Sequence, residues 1–160
     1  MNARLLTAIG LMLVFPLGLL GEEPTPEGQL AKELIGTWRM VSAKYGGSES
    51  ELPTQLTVLK HVTPTHMTWM RAVPDSGEVV AMACGKWKLD GDQYSEVPEF
   101  GMGGAFATVK GGRHVFTCKI VGDRWHHTGQ LATGLTIEEV WERQRPAETE
   151  EQEASTDAKP

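Results

Sequence analysis

From Gly36 onward, apolar and polar residues alternate over short runs, and clusters of Gly, Pro, Asp and Thr interrupt them about every ten residues. A period of two marks half-buried strands, and regularly spaced turns mark an all-β sandwich or barrel. Eight strands are predicted, at 36–46, 55–62, 65–73, 79–88, 92–100, 113–121, 124–133 and 135–144. The connections through Thr63-Pro64, 90–92 and 122–123 are tight and have hairpin chemistry, whereas those at 45–54, 74–78 and 101–112 are longer. Alternate connections of an up-and-down barrel lie at opposite ends. The expected shape is therefore a cup, with the tight turns at its floor and the long loops at its mouth. The Gly-rich run 101–112, "GMGGAFATVKGG", supports a mobile lid, because glycine loses the most freedom on ordering; the plainer reading is a wide hairpin loop. Ahead of the strands, "PEGQLAKEL" (26–34) reads as a short helix with Thr25 as its N-cap, Pro26 in its first turn and Gly36 just past its end. The fold class is all-β: an eight-stranded antiparallel up-and-down barrel with a short N-terminal helix.

Alternation assigns faces. His114 shares a face with Phe116, Cys118 and Ile120. His127 shares one with Trp125 and Leu131, Glu139 with Ile137, Trp141 and Arg143, and Glu96 with Tyr94 and Phe100. The interior is thus offered Tyr94, Glu96, His114, His127, Glu139 and Trp141, more polarity than a packed core accepts unpaired. Two readings follow: an internal hydrogen-bond network such as Glu139 to His127, or an apolar pocket with a few convergent polar groups.

The stretch "KHVTPTHMTW" (60–69) is less determined. A two-residue Thr63-Pro64 connection would pair His61 with His66 on one face. If the more apolar faces, Leu56, Val58 and Val62 with Met67, Trp69 and Val73, point inward, both histidines point outward. The reverse orientation puts His61, Thr57 and Thr68 inside. Alternation does not decide between these; a structural hairpin is preferred, since cross-strand polar pairs commonly stabilise sheets. Cys84 and Cys118 fall on strands separated by another strand, roughly 9 to 10 Å apart. A disulfide needs Cα atoms about 4.4 to 6.8 Å apart, so no bridge is expected.

Composition changes the picture at the two ends. "MNARLLTAIGLMLVFPLGLL" has a basic start at Arg4 and an apolar run from Leu5 to Leu20, too short for the about 20 residues of a membrane span. It reads as a signal peptide over 1–21, so the mature protein is expected to be exported, periplasmic or secreted, without stable membrane insertion. Residues 22–35 form a linker and the short helix, 36–145 the barrel, and 146–160 an acidic, disordered tail. That tail carries five acids and one base of a chain whose net charge is -6. The remainder is nearly neutral with no basic stripe, which excludes nucleic acid as a partner.

"GTW" (36–38), "KHVTPTHMTW", "GKWKLDGDQYSE" (85–96), "DRWHHTGQL" (123–131) and "EEVWER" (138–143), in that order, resemble the small secreted lipocalin-like proteins of bacteria. These belong to the calycin-type barrels with the lipocalins and fatty-acid-binding proteins. The resemblance covers residues 30 to 145. It implies a lipocalin-like barrel, with Trp38 on the floor against Arg143, and a small apolar or amphiphilic molecule as partner. Two carboxylates inside disfavour a fatty-acid anion unless Arg39, Lys60 or Arg71 turns inward; a neutral or cationic ligand, or one with hydroxyls, fits better. No cofactor and no metal motif is indicated. The alternatives are a hydrolase or isomerase using a buried Glu and His as acid and base, and a tetrapyrrole or metal carrier using His127, His114 or His61.

Overall fold

The computed structural model describes residues 26–145. The expected leader (1–21), the Thr25 cap and the acidic tail (146–160) lie outside the described residues. Helix α1 (Pro26–Leu34) leads into β1 (Gly36–Tyr45), a two-residue β2 (Ser48–Glu49) and a single helical turn, α2 (Leu52–Gln55). Then come β3 (Thr57–Val62), β4 (His66–Ala72), β5 (Val79–Asp90), β6 (Gln93–Met102), α3 (Gly104–Val109), β7 (His114–Val121), β8 (Arg124–Gln130) and β9 (Thr136–Gln144). Every neighbouring pair is antiparallel, in the order β2-β1-β3-β4-β5-β6-β7-β8-β9, and β1 also pairs with β9. This is a closed eight-stranded up-and-down barrel, with β2 as a small appendage. Closure removes the free edges that an open sheet would expose.

The floor forms as the tight turns require. The guanidinium of Arg143 lies 4.1 Å from the Trp38 ring centre, and Trp38 Nε1 donates to the carbonyl of Leu34 at 2.9 Å. Arg143 also donates through Nη1 to the Ile35 carbonyl at 3.2 Å and through Nη2 to the Glu33 carbonyl. One side chain thus takes up carbonyls that the end of α1 leaves without intrahelical partners. Gly36 makes this possible: its φ is +143°, and a Cβ there would stand 2.9 Å from Arg143 Nη1.

Two loops depart from the reading of the sequence. The 45–54 connection contains β2 and the start of α2. Run 101–112, read as a mobile lid or a wide hairpin loop, contains α3, anchored by a Phe106 side chain 9% exposed. An apolar residue in the middle of the Gly-rich run gives it something to bury. A β-bulge accounts for a third departure. Cys84 pairs with Phe100 but Gly85 with Pro98, so Glu99 is an extra residue and the alternation reverses past it. Phe100, expected inside with Tyr94 and Glu96, is instead 68% exposed. Gly85 opposes the bulge where a Cβ would lie 2.0 Å from the Val97 carbonyl oxygen. Cys84 and Cys118 are both free, on opposite faces of the wall, with β6 between their strands.

The lower half of the barrel is solid. Trp38, Tyr94, Trp125, Leu34 and Met67 are completely buried there, with Trp125 edge-on to both Trp38 (5.5 Å) and Tyr94 (5.2 Å). The upper half is different. β1 is bonded to β3 only over Gly36–Arg39, and β6 to β7 only over Gln93–Glu96. Above these pairings the wall has two seams, one followed in sequence by α2 and the other by α3. Four strands lie between them on either side.

Candidate functional site

Above the aromatic floor is a cavity of about 350 Å³, with Leu52 of α2 and Ala105, Thr108 and Val109 of α3 at its mouth. Its wall is mostly apolar: Met40, Val58, Trp69, Phe116, Ile137 and Trp141 among others. The polar side chains reaching it come from seven strands, with Thr108 added from α3.

β3 buries Val58, Lys60 and Val62, and β4 turns Met67, Trp69 and Arg71 inward. The apolar faces of "KHVTPTHMTW" therefore point inside and carry Lys60 and Arg71 with them. His61 and His66 point outward. Their expected pairing does not form: His61 lies opposite Thr68, and Val62 opposite Met67. The turn is wider than two residues because the Thr63 side chain closes it, accepting from the His66 N–H and donating to the His66 carbonyl, each at 3.0 Å. His61 Nδ1 instead meets Thr37 Oγ1 at 3.0 Å.

Lys60 Nζ lies 2.7 Å from Glu96 Oε1 and within 4.7 to 5.8 Å of the ring centres of Trp141, Trp125 and Tyr94. The ammonium is held by a carboxylate on one side and by aromatic faces on the others. Glu139 accepts from the Tyr45 hydroxyl at 2.9 Å and from Trp141 Nε1 at 3.1 Å. Burial raises its carboxyl above the usual range, against the pull of Lys60 and these two donors. Burial, then the Glu139 charge, pushes the Tyr45 hydroxyl up as well.

His127 stacks on Trp125 at 5.1 Å and takes the edge of Phe116 at 4.0 Å. Burial and the nearby Lys60 charge drive its pKa well down, so the ring is neutral at pH 7. Its Nδ1 is 3.7 Å from Glu139 Oε2, too long for a hydrogen bond, and neither ring nitrogen has a partner. The Glu139 to His127 link expected from sequence is therefore a proximity without a hydrogen bond. The Arg71 Nε is also buried without a partner, while its guanidinium lies 5.4 Å from the Trp69 ring centre and its charge pulls against the rise at the Tyr45 hydroxyl. Arg71 makes no ion pair among the described residues, whereas Lys60 does.

The structure sorts the six interior candidates into three groups. Glu96, His127, Glu139 and Trp141 line the cavity. His114 lines it too, but both of its nitrogens are committed: Nε2 to the Val109 carbonyl at 2.8 Å, Nδ1 accepting from the Ala132 N–H at 2.9 Å. It ties the end of α3 to the loop after β8. Tyr94 lies beneath the cavity in the floor cluster, stacked on Trp87 at 5.5 Å. Sequence reasoning missed Tyr45 and left Lys60 and Arg71 conditional; the signal for both cations was the apolar character of the faces they share. Among the described residues no three His, Cys, Asp or Glu side chains gather as metal ligands.

No protein-family model matches the chain, and no curated protein matches it in sequence. Solved structures do. A lipocalin-like protein from Bacteroides uniformis is similar over 70% of this chain and 99% of its own, at 13% identity and a TM-score of 0.50. A protein from Bacteroides eggerthii is similar over 69% of this chain and 98% of its own, at 12% identity and a TM-score of 0.46. A fatty acid transporter, REP1-NXSQ, is similar over 72% and 99%, at 8% identity and a TM-score of 0.41. At these identities the likeness concerns fold. With the closed barrel and the floor contact of Trp38 and Arg143, it gives the chain a calycin-type, lipocalin-like fold.

Proposed function

We propose that this is an exported binding protein that holds a small, largely apolar molecule with an acidic or strongly hydrogen-bond-accepting head in the barrel. The observation that carries this reading is Arg71, a cation in the cavity wall with a buried, unpartnered Nε and no carboxylate partner among the described residues. Lys60 is already neutralised by Glu96, and both oxygens of Glu139 already accept a hydrogen bond. A head group with a negative oxygen satisfies Arg71, while neutral His127, elsewhere on the cavity wall, offers one donor and one acceptor. An apolar wall with few polar anchors is the usual make-up of a small-molecule site. Export is supported by the N-terminal apolar run with its basic start.

The test compares two environment-sensitive probes of similar shape: the anionic 1-anilinonaphthalene-8-sulfonate and the neutral N-phenyl-1-naphthylamine. Wild-type protein is expected to bind both and to prefer the anion. Arg71→Gln is expected to weaken the anion about 10- to 100-fold, the worth of one hydrogen bond to a charged group, and to leave the neutral probe unchanged. Equal loss of both probes in Arg71→Gln would refute the head-group assignment. Absence of binding by either probe would refute the cavity as a ligand site. The N-terminus of protein recovered from the exported fraction is expected near Gly21 or Glu22.

A further inference from the structure

The chain has seven methionines, of which Met1 and Met12 precede the described residues, and Met40 and Met67 are buried inside the barrel. The other three stand together on the outside. Met70 of β4 lies directly opposite Met82 of β5, and Met82 lies directly opposite Met102 of β6. All three point outward: Met70 alternates with Trp69 and Arg71, which line the cavity, and Met82 with buried Ala81 and Ala83. Met102 lies past the bulge that turned Phe100 to the exterior, and is 51% exposed. Directly opposed residues on adjacent strands have Cβ atoms about 4.5 to 5.5 Å apart. The two outer methionines are then about 10 Å apart at the backbone, a gap that flexible thioether arms are long enough to close over the middle one. Cys84, free and half-buried, is two residues along β5 from Met82 and therefore on the same face. It is a fourth sulfur, diagonal to both outer methionines.

We propose that this row is a surface site for a soft monovalent cation, copper(I) or silver(I), held by the thioethers of Met70, Met82 and Met102, with Cys84 available as a fourth ligand. Thioether and thiol ligands select such ions and discriminate against hard cations, which need oxygen donors. The feature is independent of the cavity, since it lies on the opposite face of the wall. Two further apolar side chains are exposed near the row, Phe100 at 68% and Val80 at 40%.

The test is silver(I) titration of the mature protein in chloride-free buffer, followed by native mass spectrometry and by methionine-methyl NMR. One silver ion per chain is expected, shifting the methyl signals of Met70, Met82 and Met102 and not those of Met40 and Met67. Met82→Leu keeps the side-chain volume and is expected to weaken binding about tenfold or more, with the probe affinity of the cavity unchanged. Cys84→Ser is expected to retain the ion with reduced affinity. Silver binding that survives Met82→Leu and vanishes in Cys84→Ser would overturn the proposal in favour of a simple thiol. So would a protein that binds no silver and pairs with a second copy through this face.

Discussion

Replacing Glu96 with leucine would leave Lys60 without its carboxylate in the cavity wall, where little of either side chain is exposed. The two side chains are 3% and 7% exposed and 2.7 Å apart. Removing one partner of a buried ion pair costs about 3 to 5 kcal/mol, because the remaining charge is uncompensated. The faces of Trp141, Trp125 and Tyr94 stay near the ammonium and return part of that, at about 0.5 to 2 kcal/mol for a desolvated cation over a ring. Glu96→Leu is therefore expected to destabilise the barrel by about 3 kcal/mol, a fall in Tm on the order of 10 °C. Lys60→Met alone strands Glu96 and should cost about as much. The double variant replaces the pair with apolar side chains of similar length and should come back to within about 1 kcal/mol of wild type. Urea unfolding followed by tryptophan fluorescence on all four proteins gives the coupling energy. If Glu96→Leu costs less than about 1 kcal/mol, or if the double variant costs the sum of the two singles, the pair is not mutually dependent as its geometry implies.

Arg143→Ala removes two hydrogen bonds to the end of α1 and the contact over Trp38, and is expected to cost about 2 to 3 kcal/mol in urea unfolding. Arg143→Lys should recover little of it, since an ammonium cannot serve both carbonyls from one plane. The native pKa of His127 lies well below 6.5, so below that pH the unfolded chain takes up more protons than the folded one. Stability should fall as pH drops from about 6.5, and His127→Leu should flatten this slope in urea midpoints measured from pH 8 to 4. Glu139 has the opposite sign: its raised native carboxyl returns stability as pH falls through it toward 4.5.

The strand plan was legible because alternation and turn chemistry are local, and the eight expected strands match the barrel strands to within a few residues. The inward placement of His114, His127, Glu139 and Trp141 followed from the same rule, since β7, β8 and β9 contain no bulge against one another. Phe100 was misassigned because a single extra residue reverses every face after it; the local sign was Pro98, which cannot donate to a ladder and marks a bulge or an edge. The inward turn of Lys60 and Arg71 was hidden by their own charge. An isolated β3 gives no reason to bury a lysine, and the reason, Glu96, lies 36 residues away and on a strand that does not pair with β3. Unsatisfied nitrogens at His127 and Arg71 are a property of three-dimensional neighbours and have no trace in sequence.

The two seams give the barrel a mechanical character that its closed strand order conceals. Below them a continuous hydrogen-bonded belt joins all eight strands; above them the wall is two four-stranded leaves, β3 to β6 and β7 to β1, facing each other across the cavity. Such a body behaves as a clamshell whose hinge is its own floor. Parting the leaves breaks no inter-strand ladder; it strains the bond from the Gly111 N–H to the Pro98 carbonyl and displaces two short helices, of which α3 buries Phe106. Amides of the belt and of the Trp38 floor should then exchange with solvent only through global unfolding, while those of α2, α3 and the seam edges exchange through a cheaper local opening. If the proposed ligand enters by the same opening, its rate of entry has a ceiling set by the leaves parting, however much of it is supplied.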